Sequence, residues 1–335
     1  MRTFLRRADV AMKLNRRRLL GAATAFSIAP SLVRAADFPD HPVHIVVPYA
    51  PGGSTDTGAR LLGARLEKIL GQPFIVDNKA GGGTIIGTEA VAKSRPDGYT
   101  LLLATGALSA NAAFDMKLPY DTYRDLVPVV HFFQVPMLVA AANDAPFKSM
   151  AELLTMARAQ GTPIPYASAS GGSMQHLWAE YLKQRLGLHI EHVGYKGSSE
   201  ALRDVVAGQL PLLFDLLMPT ATAVQAGKLR GLVLAAPKRS DLLPDVPVVS
   251  EVGLAGYEGT IPNGFMAPAG TPPDVIQKLN TAMNEVFADK DFVHRLAVLG
   301  LTVTGGTPDA FGTLMKAETA KWRTVIQDAH IPPPL

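Results

Sequence analysis

Hydrophobic positions along this chain fall into short unbroken runs that alternate with longer stretches repeating every three to four residues. The runs His44-Ile-Val-Val-Pro48, Phe74-Ile-Val-Asp77 and Thr100-Leu-Leu-Leu-Ala104 have the length and composition of buried strands. A helix is expected after the first, from about Asp56 to Leu70, with Leu61, Leu62, Leu66, Ile69 and Leu70 on one broad apolar face. The second run leads through Gly81-Gly82-Gly83 to a helix over Thr88 to Ser94, and the third ends at Thr105-Gly106. The alternation resumes with a helix over Ser149 to Gln160, a strand over Ile164 to Ala167, a helix over Met174 to Leu186 and a strand over Glu191 to Tyr195. Lys196-Gly197-Ser198-Ser199 opens a further helix that runs to Val206, and Leu212 to Leu217 and Leu229 to Ala236 read as strands. The strand Gly264 to Pro268 and helices over Pro273 to Ala288, Asp291 to Leu299 and Thr307 to Gln327 complete the chain. Such alternation specifies an α/β protein with mostly parallel sheets.

One apolar stretch follows neither rhythm. Val127 to Ala142 has no amphipathic helix period and contains Pro128 and Pro136, so it reads as extended chain crossing from one lobe to another. The glycine-rich segment Gly253 to Gly264 leads a return crossing. Two crossovers divide the chain into a discontinuous first lobe, residues 36–140 and 263–335, and a second lobe, residues 141–262. A ligand cleft is expected at their junction.

The first 35 residues stand outside this pattern. Arg16-Arg17-Arg18, a mostly apolar stretch from Leu19 to Val33 and the small-residue site Val33-Arg34-Ala35 form an export signal, with cleavage expected after Ala35. Met12-Lys13-Leu14-Asn15-Arg16-Arg17 is a complete basic leader start in itself, so translation from Met1 and from Met12 are both compatible with export. The paired arginines allow a twin-arginine route beside the general secretory one. The leader carries eight of the 32 Lys and Arg and one of the 29 acids, leaving 24 bases against 28 acids and a net charge of −4. Without a basic run in the mature chain there is no electrostatic footprint for nucleic acid. The absence of cysteine from all 335 residues excludes disulfides, thiolate metal sites, cysteine catalysis and a cysteine-linked lipid anchor.

Twice a strand runs into Gly-Gly-Ser and then into a helix, at Tyr49-Ala-Pro-Gly-Gly-Ser-Thr-Asp56 and at Tyr166-Ala-Ser-Ala-Ser-Gly-Gly-Ser173. A glycine turn feeding a helix start leaves backbone N–H groups pointing outward at the positive end of the helix dipole. Capping alone accounts for Ser54, Thr55, Asp56 and Ser173, but it requires no doubled glycine, whereas close approach of a ligand to the backbone does. Placed in different lobes, the two turns make a clamp for a small acidic ligand. Nucleotide-binding fingerprints fail on spacing around Gly81 to Gly87 and around Gly53 to Gly58. No Gly-x-Ser-x-Gly elbow surrounds any serine, although Ser173 and His176 share a helix face and a hydrolytic dyad remains the alternative reading. His189 and His192 fall on opposite faces of a strand, which removes them as a metal pair. Asp215 ends the apolar run Leu212-Leu-Phe-Asp215, where a carboxylate is costly unless paired. It either bridges within the second lobe or accepts a hydrogen bond from an ammonium or hydroxyl of a ligand.

These motifs, in this order, resemble the Bug family of periplasmic solute receptors, the extracytoplasmic components associated with tripartite tricarboxylate transporters. The resemblance is carried by Val47-Pro-Tyr-Ala-Pro-Gly-Gly-Ser-Thr-Asp56, Asn78 with its glycine loop, Pro96-Asp-Gly-Tyr-Thr100, Tyr195-Lys-Gly197, Arg239 with Leu243-Pro-Asp-Val-Pro247, and Ala267-Pro-Ala-Gly-Thr-Pro272. It implies a two-lobed type II periplasmic-binding-protein fold that closes on carboxylated metabolites. The expected ligand-binding set is Tyr49, Gly52, Gly53, Ser54, Thr55, Asp56 and Thr105 on one wall. The other wall holds Ser168, Gly171, Gly172, Ser173, His176, Lys196, Gly197 and Ser198, with Asp215 as a further candidate. This chain departs from the family pattern at Ser170 and Thr84, where glycine is usual, at Ile85, where asparagine is usual, and at Pro262-Asn263-Gly264, which stands where an aromatic is expected. The resemblance implies a monomeric periplasmic receptor that needs no cofactor or metal, carries out no catalysis and serves a membrane permease; a ligand sensor for a signalling partner is the further alternative.

Overall fold

The computed structural model describes residues 38–159 and 161–334. The expected leader and both candidate start sites lie outside them. The chain opens with β1 (Val43–Val47), α1 (Ser54–Leu70), β2 (Phe74–Asn78), α2 (Ile85–Ala92), β3 (Thr100–Ala104) and α3 (Gly106–Ala113), and then enters the long β4 (Leu126–Ala142). Next come α4 (Met150–Arg158), β5 (Ile164–Ser168), α5 (Met174–Leu186), β6 (Ile190–Gly194), α6 (Ser198–Val206), β7 (Leu212–Leu216), α7 (Leu217–Gln225) and β8 (Leu229–Leu234). The last section holds β9 (Thr260–Pro268), α8 (Pro273–Phe287), α9 (Lys290–Val298), β10 (Thr302–Val303) and α10 (Pro308–Ala329).

The strands join in the order β2-β1-β3-β9-β4-β7-β5-β6, with β8 and β10 also paired to β4. Both ends are parallel, β1 with β2 and β3, and β5 with β6 and β7. The middle is antiparallel because β4 and β9 return the chain between lobes. The proline-containing run expected to cross between lobes does so as one strand shared by both. Leu126 to Pro136 pairs with β9, and Met137 to Ala142 pairs with β7 and β8. A proline has no N–H for a ladder, and the register shifts between Pro128 and Val130, where a bulge absorbs the missing donor.

Each lobe buries its own core, one around Val43, Leu101, Phe132, Phe265 and Leu279 and one around Tyr166, Trp178, Leu212 and Phe214. Helix α10 packs on both, with Phe311 and Met315 against the first lobe and Trp322, Val325 and Ile326 in the core of the second. Most expected elements are present within a few residues. Helix α2 starts earlier than Thr88, because Gly82–Thr84 forms a tight 3-10 turn and the chain enters the helix from Thr84 in a left-handed conformation. Two helices have no counterpart in the pattern. Helix α3 is made of small residues without an amphipathic period, and α7 begins within the apolar run assigned to β7 and carries Pro219 in its first turn, where a missing N–H costs nothing.

Candidate functional site

The junction of the lobes holds a cavity of about 720 Å³. On its first-lobe side β1 ends in the turn Tyr49 to Gly53, and Gly53 caps α1 in extended conformation without any side-chain hydrogen bond to the helix start. The turn is braced from within. The Asp56 carboxylate accepts the N–H of Gly52 at 2.9 Å, the Arg60 guanidinium at 3.1 Å and the Asn78 amide at 3.0 Å. Asn78 also donates to the carbonyl of Tyr49 at 3.1 Å and accepts from Arg60 at 2.8 Å. Burial opposes the charge on Asp56, but Arg60, the Gly52 N–H and Asn78 outweigh it and hold the carboxyl below its usual range. The Tyr49 hydroxyl stands 3.0 Å from the Thr105 hydroxyl, which ties the turn to the start of α3. Thr105 caps α3 and, like Gly53, spends no side chain on the helix amides.

The second-lobe turn is held differently. Ser173 caps α5, its hydroxyl accepting the backbone N–H of His176 at 3.3 Å. The Gly172 N–H donates to Nδ1 of His176 at 3.0 Å, and that ring stacks on His192 with centroids 3.7 Å apart. Nε2 of His192 lies 2.7 Å from the Ser168 hydroxyl. Burial, reinforced by Lys183 for His176 and by the neighbouring ring for His192, lowers both imidazoles to about 4, so both are neutral at neutral pH. A neutral His176 is also what an Nδ1 that accepts a hydrogen bond requires. The Ser173 hydroxyl meets the backbone N–H of His176, while that residue's Nδ1 is occupied by Gly172.

Behind this wall Asp215 is fully buried. Its Oδ1 accepts from Gln175 at 3.1 Å, Ser198 at 2.8 Å and the Leu216 N–H at 2.8 Å, while Oδ2 lies 3.4 Å from the Thr220 hydroxyl. Burial pushes the carboxyl up against the pull of these four donors. The arrangement gathers the starts of α5, α6 and α7 around one carboxylate.

The model of the tripartite tricarboxylate transporter family receptor matches residues 59–331. This chain belongs to that family, the Bug receptors. It is 34% identical to the protein BugT of Bordetella pertussis over 91% of this chain and 94% of that protein. The solved R. palustris Rpa4515 with adipate is 34% identical, with a TM-score of 0.75, over 89% of this chain and all of that one. MatC from Rhodopseudomonas palustris with bound malate is 33% identical, with a TM-score of 0.70, over 86% of this chain and all of that one. The two-lobed architecture is that of the periplasmic binding proteins, and the solved periplasmic binding protein BugD is 32% identical, with a TM-score of 0.71, over 88% of this chain and 99% of that one.

In this Bug receptor the cavity wall includes Tyr49, Gly53, Ser54, Thr55, Asp56, Thr105 and Ser173 of the residues expected from sequence. Gly52 stands one residue back with its N–H spent on Asp56. Within the second turn Gly171 is exposed and Gly172 is buried, Ser168 and His176 are buried beneath it, and Ser198 and Asp215 bond to each other behind the wall. Lys196 is exposed, its N–H turned to Glu200, and Gly197 caps α6 away from the wall. Sequence reasoning passed over Gly106, Gln175, Met218 and Asn263, all of which line the cavity. The third run was traced as far as Thr105-Gly106, but the small residues of α3 carry no period that would mark a helix start there, and the others carry no local signal. Among the described residues, Asp56 is the only charged one lining the cavity. Among the described residues no group of three or more His, Cys, Asp or Glu is placed to hold a metal ion.

Proposed function

We propose that this receptor captures a small carboxylate between the starts of α1 and α3 on one side and α5 on the other, and delivers it to the permease of a tripartite tricarboxylate transporter. The carrying observation is that α1, α3 and α5 all begin at one cavity lined, among the described residues, by no cationic side chain, and that α1 and α3 begin there without a side-chain cap. Helix starts are then the source of positive potential, each contributing about 0.3 to 2 kcal/mol. With several charge-assisted hydrogen bonds these sum to the roughly −8 kcal/mol of micromolar binding. The reading includes export of a monomer to the periplasm with cleavage after Ala35, and lobes that exchange near residues 140 and 262. Ligand closes the lobes only through contacts with both walls.

A thermal-shift screen of the chain from Ala36 onward tests this, using mono-, di-, tri- and aromatic carboxylates, each beside its neutral amide. At a concentration near a hundred times Kd a bound acid stabilises the fold by about 2.7 kcal/mol, read as a rise of several degrees that the amide does not produce. Equal shifts with acid and amide, or none across the panel, would sink the carboxylate reading.

A further inference from the structure

Two amide side chains, Gln175 in the first turn of α5 and Asn263 in β9, line the cavity while being 7% and 3% exposed. Each has its NH2 end committed to the protein. Gln175 Nε2 donates to Asp215 Oδ1 at 3.1 Å, and Asn263 Nδ2 donates to the carbonyl of Ile261 at 2.9 Å. Chemistry fixes both orientations. A backbone carbonyl only accepts, so Asn263 must offer it the nitrogen. Asp215 Oδ1 already takes the Leu216 N–H, a group that only donates, which marks that oxygen as an acceptor. Each amide therefore keeps its carbonyl oxygen, Gln175 Oε1 and Asn263 Oδ1, for the cavity. Among the described residues no donor bonds to either.

A bare carboxylate does not satisfy these oxygens, because it too only accepts. Closing the lobes over such a ligand leaves desolvated acceptors unpaired, and an unpaired buried acceptor is penalised more than a made bond is rewarded. We infer that Gln175 and Asn263 select ligands that carry a hydrogen-bond donor beside the carboxylate, that is, hydroxy or amino acids. The inference deepens the carboxylate reading and rests on it. The helix starts hold the acid group, the two amide oxygens read the substituent, and Asp215 is a positioning residue that turns Gln175.

The test is calorimetric titration of the receptor from Ala36 onward with three matched series: propionate, lactate and alanine; succinate, malate and aspartate; glutarate, 2-hydroxyglutarate and glutamate. Adipate is the long unsubstituted control. In a series that binds, the hydroxy or amino member should bind at least about tenfold more tightly than the unsubstituted acid. Gln175→Leu and Asn263→Leu should each shrink that ratio, and because Asn263 has no bond to Asp215, its variant reads selectivity even if Gln175→Leu folds poorly. Equal or tighter binding of the unsubstituted acid overturns the inference and leaves carboxylate capture standing, as does an equal loss for both members in the variants. No binding by any acid overturns the carboxylate reading and this inference with it.

Discussion

At the first Gly-Gly-Ser turn the Asp56 carboxylate reaches back to the N–H of Gly52 and is itself gripped by Arg60 and Asn78, whereas at the second the N–H of Gly172 goes to an uncharged imidazole stacked on another. The two turns present the same short sequence after a strand and before a helix. One is supported by ion pairing near the surface and the other by neutral rings in the interior. The shared signature places a glycine turn before each helix but fixes neither its conformation, with the left-handed glycine at Gly52 in one turn and at Gly172 in the other, nor what holds it, and the support decides how each turn responds to substitution and to acid. In the first turn an added side chain at Gly53 would meet nothing within 4 Å, and in the second one at Gly172 would meet Phe114 at 3.0 Å and Pro334 at 3.1 Å. The first turn opens on the cavity, and the second is packed from behind.

The sharpest way to use that difference is Gly53→Leu. The backbone there has φ −75°, which any residue adopts, and the space ahead is the cavity. The leucine should fill the place of a ligand and screen the amides of α1. Loss of two charge-assisted hydrogen bonds is worth about 4 kcal/mol, so the affinity for the best acid of the screen should fall about a thousandfold. Melting temperature should stay within about 2 °C of the parent, since no packed neighbour is displaced. Titration calorimetry beside a thermal melt checks both; an unaltered affinity would remove the first turn from the binding site.

The contrast between supports was only half visible in the sequence. Period and run length located β1 to β3 and the helices α1, α5, α8 and α10, because those elements bury one continuous face or are buried on both. They also located β4, whose prolines and unbroken apolar character suit a strand shared by two sheets. Helices α3 and α7 were invisible, since small residues and a merged apolar run carry no period. Within the site, glycine doublets are readable because few other demands produce them. Gln175 and Asn263 are not: their role depends on Asp215 and the Ile261 carbonyl, partners that only tertiary structure brings to them. Spacing alone likewise cannot reveal that His176 accepts from Gly172 or that His192 lies on it.

Acid should separate the two turns. The folded chain holds His176 and His192 at about 4, below the ordinary value of 6.5, so between those values the unfolded chain binds more protons than the folded one. Their contribution is complete above pH 6.5, erodes as pH falls to about 4, and is then spent. Asp56 behaves in the opposite range, because its lowered carboxyl keeps its contribution until the pH drops below the usual 3.8. At pH 4.5 the second turn should be loosened while the first remains intact. The loss in unfolding free energy between pH 7.5 and 4.5 should be about 2–3 kcal/mol for each ring, about 5 kcal/mol from the pair. His176→Asn places a non-titrating amide oxygen where Nδ1 accepts and should flatten much of that slope. His131, held at about 4 by burial in the first lobe, contributes to parent and variant alike. Urea denaturation at the two pH values decides it, and a variant that loses as much stability as the parent would show that the stacked pair is not the acid-sensitive support.

The smallest effect is also the closest comparison of the two turns, because it uses one methyl group. Gly172 has φ +72°, a conformation costing a side-chain-bearing residue about 1–2 kcal/mol, and its added methyl would press on Phe114 and Pro334. Gly172→Ala should therefore lower unfolding free energy by about 1–2 kcal/mol. Gly53→Ala, with ordinary φ and open space, should change it by no more than about 0.5 kcal/mol. Urea midpoints of the two variants, with unaltered slopes, give the difference directly. Equal losses at both would mean that neither conformation nor rear packing distinguishes the turns, and the contrast would then rest on the charge of Asp56 and the neutrality of His176 alone. A loss confined to Gly172→Ala ties the second glycine doublet to the architecture of its lobe and leaves the first free to be shaped by the ligand.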